Sequence, residues 1–364
     1  PIVREYLGGS AVGTTMQNLN QSILLKMSFG LPPLPEQKRI VAKVDELMKL
    51  CDELEARQAK QRETGTRLTK AALEGLANAD GPAELEAAWE RVVGHFEGLI
   101  SRAEDVKKVR ETVLSLAVRG RLVGQEAGEG LVDELLETND ANRANIARDD
   151  ARADAETQSI LSADDRWDIP DSWVWRGLAD LVLFVDYRGK TPTKITDGVR
   201  LLTAKNVRRG HISLSPEEFV SEREYEEWMV RGLPKTGDVL FTTEAPMGNA
   251  AVVRLAARFA LAQRVICLQS YGGVAPEFLV LQILSDEFQA ILDKNGTGMT
   301  AKGIKGAKLK QLPIAIPPLP EQKRIVAKVD QLMALCDTLE TKLRESELAA
   351  RKVAEALVAE LLQA

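Results

Sequence analysis

The sequence predicts an α+β protein: a mixed α/β domain attached to long helices that pair as an antiparallel coiled coil. Fourteen residues, PPLPEQKRIVAKVD, occur at 32–45 and again, letter for letter, at 317–330. Each copy leads into a segment whose apolar residues recur at 4-3 spacing, which is typical of helices that pair along a seam. Residues 166–316, by contrast, carry the aromatic and β-branched residues and the turn signals that are typical of short strands.

The composition limits the class of protein. A chain of 364 residues is too long for one ordinary core, so we expect two or more domains. The three cysteines show no CxxC spacing, which indicates a reducing compartment and disfavours disulfides or zinc. Only two histidines occur, so a histidine-based metal or catalytic site is disfavoured. No long apolar run predicts a membrane span, and we expect a cytoplasmic protein that binds no metal.

The first helical region is predicted at residues 32–124. Residues 1–31 parallel the segment before the second copy, so we interpret them as the remnant of a first α/β domain. Prolines end that remnant, and Pro35 with Glu36 suits the first turn of a helix. The seam of this first copy comprises Ile40, Val44, Leu47, Cys51 and Leu54.

Residues 125–165 are rich in Ala, Asp, Glu and Gly, and we interpret them as a partly ordered linker over a weak helix. The α/β domain follows at 166–316. Its predicted strands lie in VRLLTA, DVLFTT, NAAVVRL and RVICLQ, and its predicted helices at 222–230 and 276–292.

The second helix is predicted at residues 317–364, without Gly or Pro from 321 to 362. A long heptad helix cannot bury its seam alone, so we expect the helices of the two copies to bury theirs against each other. The seam of the second copy comprises Ile325, Val329, Leu332, Cys336, Leu339, Leu343, Val353 and Leu357.

Charge separates the two parts of the chain. Residues 166–316 hold 20 Lys/Arg and 17 Asp/Glu, a balance of +3, so the rest of the chain carries −6 − 3 = −9. A basic domain on acidic helices suits a nucleic-acid reader held on a protein-binding stalk. The alternative is a coiled-coil adaptor whose α+β head binds protein rather than DNA, and the acidic net charge favours it mildly.

Candidate DNA contacts lie in the loops and turns of the α/β domain. Cations suit phosphates, while Arg and amide side chains can form paired hydrogen bonds with base edges. The alternative at each position is an ordinary solvated surface. The candidates are Arg188, Lys190, Thr191, Lys205, Asn206, Arg208, Arg209, His211, Thr243, Gln263, Arg264, Lys302, Lys305 and Lys308.

The chain resembles the DNA-specificity subunit of type I restriction-modification systems. The resemblance is carried by PPLPEQKRIVAKVDELM and its second copy, by VRETVLSLAVRGRLV before the linker, and by IPDSWVWRGLADL after it. GKTPT, LLTAKNVRRGHI, LPKTGDVLFTTEAPMGNAAVV and LAQRVICLQS look like parts of the family's target recognition domain.

The resemblance implies a function and partners. Each recognition domain would read one half of a split double-stranded DNA target, and the helices would hold two such domains a fixed distance apart. Two methyltransferase subunits, which bind S-adenosylmethionine, would dock on the helices, and a restriction motor subunit would join them. Because most of the first recognition domain is missing, we expect either a truncated chain or a half-subunit that pairs with a second copy.

The resemblance also implies that the chain has no catalytic residues and no cofactor of its own. The residues agree, since neither an NPPF-like or DPPY-like tetrapeptide nor GxxxxGK[ST] occurs in the sequence. A methyltransferase would need the first kind of motif and a motor subunit the second.

Overall fold

The computed structural model describes residues 30–77, 79, 81–94, 103–126, 128–150, 165–187, 192–298 and 302–363. The chain divides into two compact units, Pro1–Thr64 and Gly65–Ala364. The first long helix, α1 (Leu34–Ala77), begins in one unit and ends in the other. Its first turn forms as predicted, because the Pro33 carbonyl accepts hydrogen bonds from the backbone N–H groups of Glu36 and Gln37 at 2.9 and 3.0 Å.

The seam of the first copy differs from its prediction. Ile40, Val44, Leu47 and Leu54 are 46–50% exposed, and Cys51 is exposed as well. The described part of the first unit is the beginning of this one helix, and a single helix has no second surface on which to bury an apolar stripe. The mutual pairing of the two copies stays a prediction.

The second unit contains three further long helices and the predicted α/β domain, here called the head. The long helices are α2 (Pro82–Gly94), α3 (Ala103–Val118) and α4 (Val132–Ala147). The head and the last helix follow as β1 (Val174–Gly177), α5 (Leu178–Leu181), β2 (Val182–Asp186), β3 (Val199–Leu202), β4 (Phe219–Val220), α6 (Glu222–Trp228), β5 (Val239–Thr242), β6 (Ala250–Val252), β7 (Phe259–Leu261), β8 (Val265–Ser270), α7 (Pro276–Leu284), α8 (Asp286–Asn295), α9 (Gly306–Lys310), β9 (Pro313–Ile316) and α10 (Leu319–Gln363).

The head is built on three small sheets. β2, β8, β5 and β6 form an antiparallel four-stranded sheet in that order, β4, β3 and β7 form a second sheet, and β1 pairs with β9. Only the β3–β7 pair among these ladders is parallel. The four strands predicted from the sequence are confirmed as β3, β5, β6 and β8, and the mixed α+β class is confirmed with them.

The four-stranded sheet is buried on both faces. Its alternate residues point into different cores, as the two-residue period of a strand requires. One face, with Phe184, Phe241 and Ile266, packs in the core that contains the helices. The other face, with Val185 and Leu240, packs in the core of the three-stranded sheet. The four-stranded sheet is therefore a layer held between the long helices and the three-stranded sheet.

Helix α3 and the first half of α10 run antiparallel. Arg110 of α3 contacts Asp337 and Glu340 at 2.8 and 3.0 Å, whereas Arg324, near the start of α10, contacts Gly124 and Glu129, which follow the end of α3. The reversed order of these contacts along the two segments defines the antiparallel direction. The antiparallel helix pair of the second unit thus joins the second copy to α3.

The second seam is buried where α3 covers it. Ile325, Val329, Leu332 and Cys336 are at most 3% exposed, and Leu339 and Leu343 are partly buried against the same core. Farther along α10, Val353 is 60% exposed and departs from the prediction. The 16-residue α3 does not extend far enough to cover all of the 45-residue α10. The side chain of Leu357 lies outside the described residues.

The PPLPEQ motif of the second copy joins the helices to the head. The Gln322 side chain accepts from Ala275 N–H at 2.7 Å and donates to the carbonyls of Gly273 and Pro317 at 3.2 and 3.0 Å. Gln322 is fully buried. The oxygen and both protons of this buried amide are hydrogen-bonded, so the amide fixes the backbone at Gly273, Ala275 and Pro317 relative to the start of α10.

Glu321 of the same motif faces the opposite side of this junction. Its Oε1 accepts from Gln125 Nε2 at 2.7 Å and from Trp173 Nε1 at 3.0 Å. Burial raises the pKa of the Glu321 carboxyl above its ordinary value, although these two hydrogen bonds act in the opposite direction.

The RGRLV sequence after α3 forms a tight helix end. Gly120 has φ +68°, and Arg121 N–H bonds to the Leu116 carbonyl at 2.9 Å. This is the 6→1 hydrogen bond of a Schellman motif. A Cβ on Gly120 would lie 2.5 Å from a carbon of the Pro170 ring and 2.9 Å from Trp173. Only glycine fits both the backbone conformation and the space.

The segment predicted as a linker contains α4, which is attached to the head by polar contacts. Asn139 is 1% exposed; it donates to the Asp180 carbonyl at 2.9 Å and accepts from Gly273 N–H at 3.1 Å. Arg143 adds an ion pair with Asp180 at 3.1 Å. Polar side chains of this segment thus form buried hydrogen bonds with the head.

The head helix predicted at 276–292 is two helices. Ser285 interrupts it with an extended backbone, and its hydroxyl accepts from Phe288 N–H at the start of α8. Throughout the described part of the chain, no helix combines the length and hydropathy needed to cross a membrane.

Candidate nucleic-acid interface

Three separate segments of the head meet at one polar cleft of about 350 Å³. One segment follows β5, the second is the turn between β7 and β8, and the third lies between α8 and α9. The cleft is lined by Thr243, Glu244, Gln263, Thr297, Gly303, Ile304 and Lys305. Sequence positions 243, 263 and 305 were predicted as DNA contacts separately, and the fold brings them to one place.

Backbone hydrogen bonds hold the three segments together. Thr243 N–H donates to the Arg264 carbonyl at 3.1 Å, and Ile304 N–H donates to the Thr243 carbonyl at 3.0 Å. Thr297 and Gly303 exchange two backbone hydrogen bonds of 2.8 and 2.9 Å. Main-chain hydrogen bonds therefore hold the three segments of the cleft together.

Gly303 allows the third segment to approach the first. A Cβ at this position would lie 3.1 Å from the Cβ of Glu244 and 3.2 Å from the Thr243 carbonyl oxygen. Such contacts are tighter than ordinary packing, so a side chain here would push the two segments apart.

The charges around the cleft are arranged in pairs. Arg264 Nε lies 2.5 Å from Glu244 Oε1, with half of the Arg264 side chain exposed. Lys302 Nζ lies 3.1 Å from Asp293 Oδ1. Lys305 and Lys308 are exposed, and Lys308 lies on α9. An exposed ion pair is worth little in water, so both paired cations can exchange their carboxylate for a phosphate at small cost.

These side chains suit the chemistry of DNA reading. Exposed lysines neutralise phosphates, whereas a guanidinium or an amide can form directional hydrogen bonds with a base edge. Arg264 and Gln263 are adjacent on the turn before β8 and supply one group of each kind. Thr243 is 3% exposed and bonds to the Arg264 carbonyl at 3.4 Å, so it lines the cleft as part of its wall.

The candidates in the turn at 203–213 separate into two groups. Lys205, Arg208 and His211 are exposed, and Arg208 N–H bonds to the His211 carbonyl at 2.9 Å. Arg209 donates to the Leu284 carbonyl at 2.8 Å at the end of α7. Arg209 therefore faces a groove between the head and the helix pair rather than the polar cleft.

The prediction that Asn206 contacts a base is wrong. Asn206 is fully buried; its Oδ1 accepts from the backbone N–H and the hydroxyl of Thr203 at 2.9 Å each. Its Nδ2 donates to the carbonyls of Ser213 and Pro216 at 3.0 Å each. With oxygen and both protons engaged, Asn206 shapes the turn and has no group left for DNA.

Three further candidates, Arg188, Lys190 and Thr191, lie outside the described residues. The structure adds Thr297 to the lining of the cleft. No sequence signal distinguishes Thr297, because its place depends on its pairing with Gly303 across five intervening residues. Among the described residues, no cluster of His, Cys, Asp and Glu could hold a metal ion.

The fold defines a class: an α+β head mounted on an antiparallel helix pair. The comparison with family models gives the family that the chain matches. Residues 5–63 and 232–348 match the type I restriction modification DNA specificity domain. The first match ends within α1 and the second within α10, in keeping with the repeated sequence.

The chain is also similar to curated specificity subunits from Escherichia coli. It is 26% identical over 345 residues to the type I restriction enzyme EcoAI specificity subunit, covering 90% of this chain and 56% of that protein. It is 23% identical over 354 residues to the EcoEI specificity subunit, covering 90% and 57%. The chain thus spans somewhat more than half the length of these relatives.

Among solved structures, the chain is similar to the HsdS subunit from Thermoanaerobacter tengcongensis. The identity is 18%, the match covers 98% of this chain and 66% of that chain, and the TM-score is 0.45. A structure described as showing complex assembly and conformational transition of the type I R-M system is matched at 19% identity, with a TM-score of 0.43, over 76% of this chain and 58% of that chain.

Proposed function

We propose that this chain is a non-catalytic DNA-specificity subunit whose head reads one half-site of a bipartite double-stranded target. The observation that carries the proposal is the convergence of Gln263 and Lys305, more than 40 residues apart in sequence, at one cleft, with Arg264 paired to Glu244 of the same lining. Groups suited to base reading and to phosphate binding therefore share one surface.

The proposal divides the labour between cleft residues. Lys305 and Lys308 bind phosphates and fix the position of the duplex, while Arg264 and Gln263 contact base edges. Glu244 holds Arg264 in position before DNA arrives, through the 2.5 Å ion pair. Lys205, Arg208 and His211 extend the contact surface from a neighbouring turn.

We further propose that two methyltransferase subunits and a restriction subunit dock on the long helices. The exposed apolar residues on the distal part of α10 support this assignment, since Leu348, Val353 and Val358 are 54–60% exposed. Apolar side chains repeated along an exposed helix are typical of a protein-binding surface. In this assignment the methylation chemistry and its S-adenosylmethionine belong to the partners.

A selection experiment tests DNA reading. The chain is incubated with a pool of duplexes of randomised sequence, bound DNA is recovered and sequenced, and affinities for the enriched duplex are measured over a salt series. Lys305→Ala should weaken binding to all duplexes alike and lower the salt slope by roughly one. Arg264→Ala should relax the preference at one base position, at a cost of about 1–3 kcal/mol.

The matched control for Lys305→Ala is Lys342→Ala, which removes an exposed lysine from α10, outside the cleft. It should leave both the affinity and the salt slope unchanged. Equal affinities for the wild type, Lys305→Ala and Lys342→Ala would refute the assignment of the cleft. That result would favour the protein-binding adaptor instead.

A further inference from the structure

The two copies of the repeat are identical in sequence but opposite in burial. At the second copy, Ile325 and Val329 are 0% and 1% exposed beneath α3, whereas Ile40 and Val44, 285 positions earlier, are each 49% exposed. The same amino acids therefore form a covered face in one unit and an open face in the other.

The polar residues that surround the covered face are repeated as well. Arg110 of α3 binds Asp337 and Glu340. The residues at the same places in the first copy are Asp52 and Glu55, of unchanged type. A generic coiled coil would not need this carboxylate pair, because apolar spacing alone buries a seam. The pair is a specific counterpart for a guanidinium.

Two more contacts of the second copy have their counterparts in the first. Arg324 binds Glu129 at 2.6 and 2.7 Å and the Gly124 carbonyl at 3.0 Å, both in the segment that follows α3. Arg39 occupies the equivalent place and is exposed. Glu36 likewise corresponds to Glu321, which accepts from Gln125 in that same segment.

The repeat ends about one turn before the covered face of α10 ends. Position 343 of α10 is a Leu partly buried against the same core, but the equivalent position in the first copy is Gln58. The face retained in α1 is therefore Pro32–Glu55, which corresponds to the part of the second copy that contains the fully buried seam and both partners of Arg110.

We propose that Pro32–Glu55 of α1 is a docking face for an amphipathic helix of the α3 type. The occupant is defined by its chemistry. It presents apolar residues at the spacing of Val106, Val109 and Val113, which are each 1% exposed on α3, and a guanidinium in the place of Arg110. A turn with a free carbonyl and an acidic residue follows it. It binds antiparallel to α1, with its guanidinium between Asp52 and Glu55.

A peptide of residues 103–125 is the direct probe of this face. Fluorescein-labelled peptide is titrated with the whole chain, and anisotropy reports binding. Saturable binding with one site per chain is expected. Leu47→Glu should weaken it roughly tenfold or more, because the charge would be buried in the apolar seam.

A charge reversal distinguishes this docking from general stickiness. Asp52→Arg should weaken binding of the wild-type peptide several-fold, and a peptide with Arg110→Glu should restore it. The matched control is Glu53→Arg, which makes the same change of charge at the position equivalent to Thr338, an exposed residue of α10. This control should bind the wild-type peptide like the unchanged chain.

Three results would overturn the proposal. One is the absence of saturable binding, and another is equal loss from Asp52→Arg and Glu53→Arg. The third is a combined result: the wild-type chain sediments as a dimer, the Leu47→Glu chain sediments as a monomer, and neither chain binds the peptide. In that case the face of α1 would bind the α1 of a second copy. None of these results depends on DNA, so failure here is distinguishable from failure of the proposed function.

Discussion

The glutamine that occurs in both copies of the repeat, Gln37 and Gln322, allows a controlled measurement of how much burial of its side chain adds to the free energy of unfolding. Gln322→Ala removes one acceptor and two donors at a fully buried site. The Ala275 N–H and the carbonyls of Gly273 and Pro317 then lose their hydrogen bonds to the Gln322 side chain. An unsatisfied buried donor costs about 1–3 kcal/mol, and under-satisfied carbonyls cost less. We expect Gln322→Ala to lower the free energy of unfolding by about 2–4 kcal/mol.

The same substitution in the first copy is the control. Among the residues that the structure describes, Gln37 makes a single side-chain hydrogen bond, from Nε2 to the Pro32 carbonyl at 2.8 Å, at a partly exposed position. Water can replace that bond, so Gln37→Ala should cost about 0.5 kcal/mol or less. Both residues stand at the same position of the sequence PPLPEQKRIVAKVD, so the effect of each substitution on local helix propensity is the same.

Urea unfolding followed by tryptophan fluorescence measures the difference, since Trp173 lies at the junction that Gln322 holds. The variants are compared by their transition midpoints at unchanged slope. If the two substitutions cost the same, the junction contributes nothing beyond helix propensity, and the reasoning from burial is refuted.

The remaining predictions concern a carboxyl, a turn and two thiols. Burial raises the folded-state pKa of Glu321, so the folded chain holds more protons than the unfolded chain just above the ordinary carboxyl value of 4.5. Wild-type stability relative to Glu321→Gln should therefore rise as the pH falls from about 7 towards about 5; a constant difference across that range would contradict it. Gly120→Ala should cost more than the roughly 1–2 kcal/mol of left-handed backbone strain, because its Cβ would also meet Pro170 and Trp173. Gly130→Ala, at φ +82° with no atom of the described residues within 4 Å of its added Cβ, should cost that strain alone. Equal shifts in melting temperature would count against the packing argument. Alkylation followed by peptide mass mapping should label the exposed Cys51 rapidly and Cys336 only on unfolding, because burial both covers the Cys336 thiol and raises its pKa, and similar rates at the two thiols would be inconsistent with this.

Much of the fold could be predicted because its signals are local. The proline-rich turn, the 4-3 apolar spacing after Pro317 and the two-residue alternation in β5 and β8 each depend on neighbours within one element. Burial of Ile325 and Val329 follows from that spacing once a partner helix exists. The partner, α3, depends on a contact between residues more than 200 positions apart, which spacing does not encode.

The candidate site was predictable by residue type but not by geometry. Lys305 and Gln263 carry the right groups, and their meeting depends on the hydrogen bonds that join the third segment to Thr243. Asn206 shows the opposite error, since an amide suited to a base edge is equally suited to closing a turn. Asn139 was overlooked for the same reason: its polar surroundings indicated a linker, and only tertiary contacts bury it.

The pairing of β1 with β9 has a consequence for how the head can be exchanged. Val174 lies opposite Ile316 and Gly177 opposite Pro313, so the chain passes into the head and out of it through adjacent strands. The ladder therefore places the entry and the exit of the head side by side. A head of different sequence that kept β1, β9 and the contacts of Gly273 and Ala275 with Gln322 would leave the helix pair unchanged, so the rest of the head can vary without rebuilding the scaffold.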